Sequence, residues 1–285
     1  MTGQSIIPVV IDSDNALGPG SSTGDVDDAF ALSFLLKSQF PIQEIWSVGG
    51  NTSAKKAHLN NLSLVQKAGQ KITCTEGLDP GEIKDLKLSI KSKVSYLSLG
   101  PLTNLASFLK AGLEPDQIWM TLGRISTKGY FPPYWPMEFN ATKDLAAFQQ
   151  VLSSKISITV VPLDVAYRLK IKSAHFEKLK ESAIGRYLLK YSQRWRWRNA
   201  FIKGRKSFPV WDLLSAMSCA HPEVCEVQKG QGYLFKNGLF LCDILNQPIT
   251  KHNRQKSILS RDIKIVSDFD EEKLWSYFFN AIERP

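Results

Sequence analysis

The chain has 285 residues, 43% hydrophobic and 22% charged, which fits one large globular domain with a substantial core and excludes a disordered or low-complexity chain. No apolar run approaches the about 20 residues needed to span a bilayer, and the N-terminus lacks a basic region, so neither a membrane span nor a signal peptide is expected. The net charge of +9 attracts anions in general. Four cysteines, Cys74, Cys219, Cys225 and Cys242, show no CxxC spacing and read as free thiols in a reducing, cytoplasmic compartment.

In chain order, Ile6 to Asp14 is a β-branched run ending in acids, predicted as a buried strand with polar groups at its C-terminal end. "DVDDAFALSFLLKS" follows as a helix whose acids sit in its first turn, where they complement the dipole. Ile42 to Asn51 is a second strand, "AKKAHLNNLSLVQKAG" a helix stopped by Gly69, and "KITCTEG" a short strand. "VSYLSLGPLTNLASFLKAG" reads as strand, turn and helix, and "QIWMTLGRIS" as a strand ending near Gly123. "NATKDLAAFQQVLSS" is predicted as one helix and "SITVVPLDVAYRL" as one strand. The repeated order of strand, turn and helix predicts an α/β fold, a mostly parallel Rossmann-like open sheet flanked by helices. Beyond Val165 the pattern weakens into a helical stretch, the apolar helix of "VWDLLSAMSCAHPEV", a strand-rich tail and a last helix. No linker marks a boundary, so residues 1–285 are expected to form a single domain.

Ligands of such sheets bind beyond the carboxyl ends of the strands. Asp12, Asp14, Asn51, Asn104 and the Leu122–Gly123 turn all fall at strand ends or in the turns beyond. The first βα junction is the most acidic: five aspartates lie between Asp12 and Asp28, in two groups split by a Gly/Pro/Ser-rich stretch. Asp12 and Asp14 end a strand, Asp27 and Asp28 open the next helix, and the stretch from Asn15 to Asp25 is expected to loop outward. Like charges this close need something positive among them. Clustered carboxylates are hard oxygen donors suited to Ca²⁺ or Mg²⁺, and no Cys/His cluster competes. The plainer explanation, helix caps on a solvated loop, fits one or two of these acids less awkwardly than four.

"DSDN…GDVDDAFAL" resembles the N-terminal signature of the nucleoside hydrolases, the inosine-uridine type and its purine-preferring relatives. "VGGN", "LGPLTNLA", "MEFNATKDLAAFQQVL", "ITVVPLDV" and "WDLLSAMSCAHPE" resemble further family segments in the same order, over about residues 6 to 225. The resemblance implies the nucleoside hydrolase fold and Ca²⁺-dependent hydrolysis of the N-glycosidic bond of ribonucleosides, by a homo-oligomer. It makes Asp14 a calcium ligand and the general base, with Asp28, Asp212 and the backbone carbonyl of Leu122 as further ligands. Asp27, Asn51, Glu138 and Asn140 would clamp the ribose, and Asp12 would orient the loop from behind. Trp211, where many relatives carry His, matches the purine-preferring branch and would stack on a flat base.

Three departures stand out. Residues 15–23 are extra between Asp14 and Gly24. Pro132 and "YFPPYWP" replace a usual turn, and Thr75 to Lys93 is short and lacks the family's His. A second aromatic for the base must come from elsewhere, with Tyr134, Trp135, Trp195 and Trp197 as candidates. The basic, Trp-bearing stretch from Lys190 to Phe208 reads either as a nucleic-acid groove or, preferably, as a helix with packed tryptophans and solvated arginines. Two other functions therefore compete: a catalytically silent member that binds a nucleoside, or nucleic acid through Arg194 to Arg205, and a phosphatase using Asp12-x-Asp14 as nucleophile and acid.

Overall fold

The computed structural model describes residues 7–20, 25–87, 93–125, 138–198, 207–244 and 248–284. Eleven described strands are β1 (Val9–Ser13), β2 (Ile42–Ser47), β3 (Cys74–Glu76), β4 (Ser95–Ser98), β5 (Gln117–Thr121), β6 (Ser157–Val161), β7 (Lys170–Ile171), β8 (Phe208–Pro209), β9 (Cys225–Leu234), β10 (Phe240–Asp243) and β11 (Leu259–Phe269). Nine of them form one sheet in the order β10-β9-β11-β6-β5-β4-β1-β2-β3, and β7 pairs with β8 apart from it. The run from β3 to β6, and β6 with β11, is parallel, while β9 and β10 add an antiparallel edge. The parallel α/β fold read from the sequence is the observed one.

The central strands are apolar and buried because helices cover both faces. All five residues of β1 and all four of β4 are buried. Strand order reverses at β1: the chain goes outward through β2 and β3, then returns to lay down β4, β5 and β6 on the other side. A crevice opens at such a reversal, above the carboxyl ends of β1 and β4. Helix α1 (Asp27–Lys37) packs against α2 (Ala54–Lys67), α8 (Ala183–Tyr191), α10 (Trp211–Ala220) and α12 (Glu271–Ile282), and α2 also against α8. Helices α3 (Thr103–Lys110) and α5 (Leu145–Ser153) pack on each other, on the opposite face by right-handed crossover. Ten of the eleven residues of α1 are buried, including its first two, Asp27 and Asp28.

Two predicted elements are divided. The helix of "NATKDLAAFQQVLSS" is two, α4 (Phe139–Lys143) and α5, because Asp144 caps the second instead of continuing the first. Its Oδ1 accepts from Ala147 N–H at 3.0 Å and its Oδ2 from the Thr103 hydroxyl at 2.8 Å. The strand of "SITVVPLDVAYRL" stops at Val161, and Pro162 opens the short helix α6 (Leu163–Ala166). A short apolar run has no periodicity by which to separate the two states.

The extra stretch after Asp14 begins inside the protein rather than looping outward. Asn15, Ala16 and Leu17 are buried. Asn15 is gripped by two asparagines of α2: its Nδ2 donates to Asn61 Oδ1 at 3.1 Å, and its carbonyl accepts from Asn60 Nδ2 at 2.8 Å. Asn60 Oδ1 then accepts from Gly20 N–H at 2.7 Å. Residues 21–24, Pro132, Tyr134, Trp135 and the basic stretch beyond 198 up to 206 lie outside the described residues.

Candidate active site

Acids from the two ends of the chain meet, in a group of Asp27, Asp28 and Asp212 that differs from the Asp14, Asp28 and Asp212 implied as ligands by having Asp27 in it and Asp14 outside it. Asp27, Asp28 and Asp212 are buried, and each offers an oxygen within 4.8 Å of the others. Asp27 and Asp28 come from the first turn of α1, and Asp212 from the first turn of α10, which packs on α1. Asp14, just beyond β1, lies close enough for its charge to act on Asp27, Asp28, Asp212 and Glu138.

Each acid is aimed by a neighbour. Asn51 N–H donates to Asp14 Oδ2 at 2.6 Å. The Ser13 hydroxyl donates to Asp28 Oδ1 at 2.6 Å. The Thr121 hydroxyl, at the end of β5, bonds Asp212 and lies 2.7 Å from the Ser215 hydroxyl. Two buried carboxylate oxygens, Asp14 Oδ1 and Asp27 Oδ1, have no partner. Among the described residues no ion pair reaches the four aspartates. Buried, unpaired charges of one sign are costly unless they are protonated or coordinate a cation. Burial, the larger cause, and then the charge of neighbouring acids hold Asp27, Asp28 and Asp212 well above the usual carboxylate range. Burial likewise pushes Asp14 up to about 6. Orphaned oxygens, hard donors and the lack of a paired cation among the described residues fit a divalent cation at the cluster of Asp27, Asp28 and Asp212, with Asp14 beside it.

Space around Asp14 is kept by glycines. A Cβ on Gly50 would lie 2.0 Å from Asp14 Oδ2, and one on Gly100 would lie 3.1 Å from its Cβ and Cγ. The turns after β2 and β4 thus close on Asp14 from two sides.

The remaining predicted residues are placed as follows. Asp12 is fully buried beneath the nest, accepting from Tyr96 Oη at 3.0 Å and Asn104 Nδ2 at 2.9 Å. With both oxygens engaged and no exposure it offers no nucleophile, which argues against the phosphatase scheme. Leu122 follows β5, is buried, and donates its N–H to Val161 O at 3.1 Å. Asn51 is exposed and reaches Asp14 through its backbone. Glu138 is buried at the start of α4, where it accepts from Ala141 N–H at 2.5 Å. Burial, opposed by that bond and aided by the charge of Asp14, pushes Glu138 up to about 7. Asn140 is half-buried and donates to Leu99 O at 3.3 Å. Trp211 is the first residue of α10, half-buried, with its ring 6.4 Å from that of Tyr167 and its buried Nε1 without a partner. Of the other aromatics, Trp195 packs edge-on against Phe208 at 4.5 Å, and Trp197 is 60% exposed.

Sequence reasoning passed over the supporting residues Ser13, Thr121, Ser215 and Tyr96, and also Asp25. Asp25 is half-buried, and its charge acts on both Asp14 and Asp27. Ser13 could have been found, since it stands between two candidate acids. Thr121 and Ser215 carry no such signal, because only the packing of α10 on β5 brings them together.

Fold and site together define an open α/β protein with a buried acidic nest at its topological switch point. The profile of the inosine-uridine preferring nucleoside hydrolases matches residues 81–276, and the chain belongs to that family. The matched region includes Asp212, Glu138 and Leu122, while the acids of the first βα junction precede it. An uncharacterized protein of Schizosaccharomyces pombe is 32% identical over 102 residues, which cover 34% of this chain and 32% of that one. The match thus spans about a third of that relative's length. Solved structures share the fold over 97–98% of the chain. A plant nucleoside hydrolase, PpNRh1, is similar with a TM-score of 0.78 at 20% identity, over 98% of this chain and 100% of that one. A purine-preferring ribonucleoside hydrolase from Gardnerella vaginalis is similar with a TM-score of 0.73 at 16% identity, over 97% and 98% of the two chains.

Proposed function

We propose that this protein hydrolyses the N-glycosidic bond of ribonucleosides, preferring purines, with Ca²⁺ held by Asp14, Asp28, Asp212 and the Leu122 carbonyl. The observation that carries the proposal is the meeting of acids from both ends of the chain around unpaired buried oxygens. A bound divalent cation supplies charge neutralisation and makes a water easier to deprotonate. Asp14 is the base: its Oδ2 is tied to Asn51 N–H, which leaves Oδ1 to take the proton of the attacking water. The transition state carries positive charge on the sugar, as in glycoside hydrolysis, and the surrounding carboxylates favour that charge. Asp27, through its unpartnered Oδ1, holds a ribose hydroxyl, and Asn51, Glu138 and Asn140 fix the sugar's orientation. Trp211, backed by Tyr167, offers an aromatic face to a purine.

The test is a reducing-sugar assay over a panel of purine and pyrimidine nucleosides, with and without chelator, on the wild type and Asp14→Ala. Turnover of purine ribonucleosides, lost with chelator and in a folded Asp14→Ala protein, is the expected result. Full activity in that variant would remove Asp14 as base, and no turnover of any nucleoside by the wild type would remove the proposed activity.

A further inference from the structure

We infer that Asn104 is a positioning residue that sets Asp14 and the Asn51 turn at matching heights. Asn104 lies in the first turn of α3 and is fully buried, and its amide bridges three chain segments. Its Nδ2 donates to Asp12 Oδ1 at 2.9 Å and to Ser47 O at 3.0 Å, so one group ties the end of β1 to the end of β2. Its Oδ1 accepts from Leu78 N–H at 2.8 Å, just past β3. The loop it grips is laced to the turn after β2: Gly77 N–H donates to Ser47 O at 3.0 Å and Gly49 N–H to Leu78 O at 2.9 Å. That turn ends at Asn51, whose N–H holds Asp14 at 2.6 Å. No larger residue fits beside the amide, since a Cβ on Gly77 would lie 2.3 Å from Asn104 Nδ2.

The geometry is specific to an amide. Asp12 and Ser47 both present acceptors and Leu78 presents a donor, so the bridging group must donate on one side and accept on the other. A carboxylate at 104 would face Asp12 acid to acid, and a serine is too short to span all three. Once the bridge is lost, the ends of β1 and β2 are held to each other by their own ladder and by Val48 N–H to Ser13 O at 3.1 Å, the loop after β3 loses its tie to them, and the hydrogen bond between Asn51 and Asp14 loosens although neither residue touches Asn104. Supports behind metal ligands typically matter about 10–100-fold in metal affinity.

The test compares Asn104→Ser, Asn104→Asp and the exchange Asp12→Asn/Asn104→Asp, which restores a donor facing an acceptor at position 12 and leaves Ser47 O without its donor. The first readout needs neither metal nor substrate: hydrogen-exchange protection of the Asn51 amide by NMR, set against amides of β4 and β5. Asn51 protection is expected to fall at least 10-fold more than that of the strands in both single variants, and to recover in part in the exchange. The second readout rests on the proposed Ca²⁺ site: calorimetric Ca²⁺ affinity is expected to weaken 10–100-fold in the single variants and to recover in part in the exchange. Protection of Asn51 that falls only in step with the strands would overturn the inference, as would an exchange variant no better than Asn104→Asp. A wild type that binds no Ca²⁺ would sink the metal reading, while the Asn51 measurement would still decide for or against Asn104.

Discussion

Adding one methyl group at Gly50 should disable the site without touching any acid. The Cβ of Gly50→Ala would lie 2.0 Å from Asp14 Oδ2, and ordinary contact begins near 3.4 Å, so the two groups must part by about 1.4 Å. Retreat of the alanine is blocked, because Pro101 Cδ would lie 2.8 Å away. The carboxylate therefore moves, and with it goes the 2.6 Å bond from Asn51 N–H. A hydrogen bond to a charged group contributes about 1.5–3 kcal/mol, and a misplacement of about 1 Å at a reacting group costs about 100-fold. Turnover of the best nucleoside is expected to fall at least about 100-fold. Steady-state kinetics beside a thermal melt measure this, with Gly112→Ala as the control. That glycine has φ +90° and open space around it, so alanine there costs about 1–2 kcal/mol of backbone strain and leaves turnover intact. A Gly50→Ala enzyme within twofold of wild type would refute the close fit around Asp14.

Two further outcomes follow from the same geometry. Asp12 is pushed up to about 8 and Asp14 to about 6 by burial, above unfolded values near about 3.9. The chelated folded protein therefore holds more protons than the unfolded chain. Its stability is fully present below about pH 4 for these groups and is lost as the pH rises through 6 and 8. Melting of the chelated protein at pH 5 and pH 8 should show the higher midpoint at pH 5, with Ca²⁺ raising the pH 8 midpoint more than the other. The reverse order would contradict the nest as drawn. Trp211→Ala should narrow the preference for inosine over uridine by about 3–10-fold, the worth of one aromatic stack, while Trp211→Phe keeps most of it. Competing-substrate kinetics measure the ratio, and an unchanged ratio would leave Trp211 as packing only.

The fold was legible because its strands are short apolar runs ending in polar turns, and because helices follow them in regular alternation. Asp12, Asp14, Asp27 and Asp28 were legible for a different reason. A βα turn places the end of one strand beside the start of the next helix whatever lies between. Asp212 was legible only through the family resemblance, since nothing local in "WDLLSAMS" says that α10 packs on α1. The supports were mostly illegible. Asn104 is placed by the sequence in a turn beyond a strand end, but its bridging role shows only once β1, β2 and the loop after β3 surround it, and Thr121 and Ser215 meet only through tertiary packing. The extra stretch after Asp14 misled because its Gly/Pro/Ser composition describes a loop without saying what holds it. Asn60 and Asn61, two adjacent buried polar residues of α2, are what hold it.

The most direct measurement is a crystal structure of the protein grown with Ca²⁺, with an anomalous difference map at long wavelength. The account predicts one strong peak within about 2.3–2.6 Å of oxygens from Asp14, Asp28 and Asp212, with the Leu122 carbonyl completing the shell. A peak elsewhere, or an ion bound with Asp212 turned away, would contradict it.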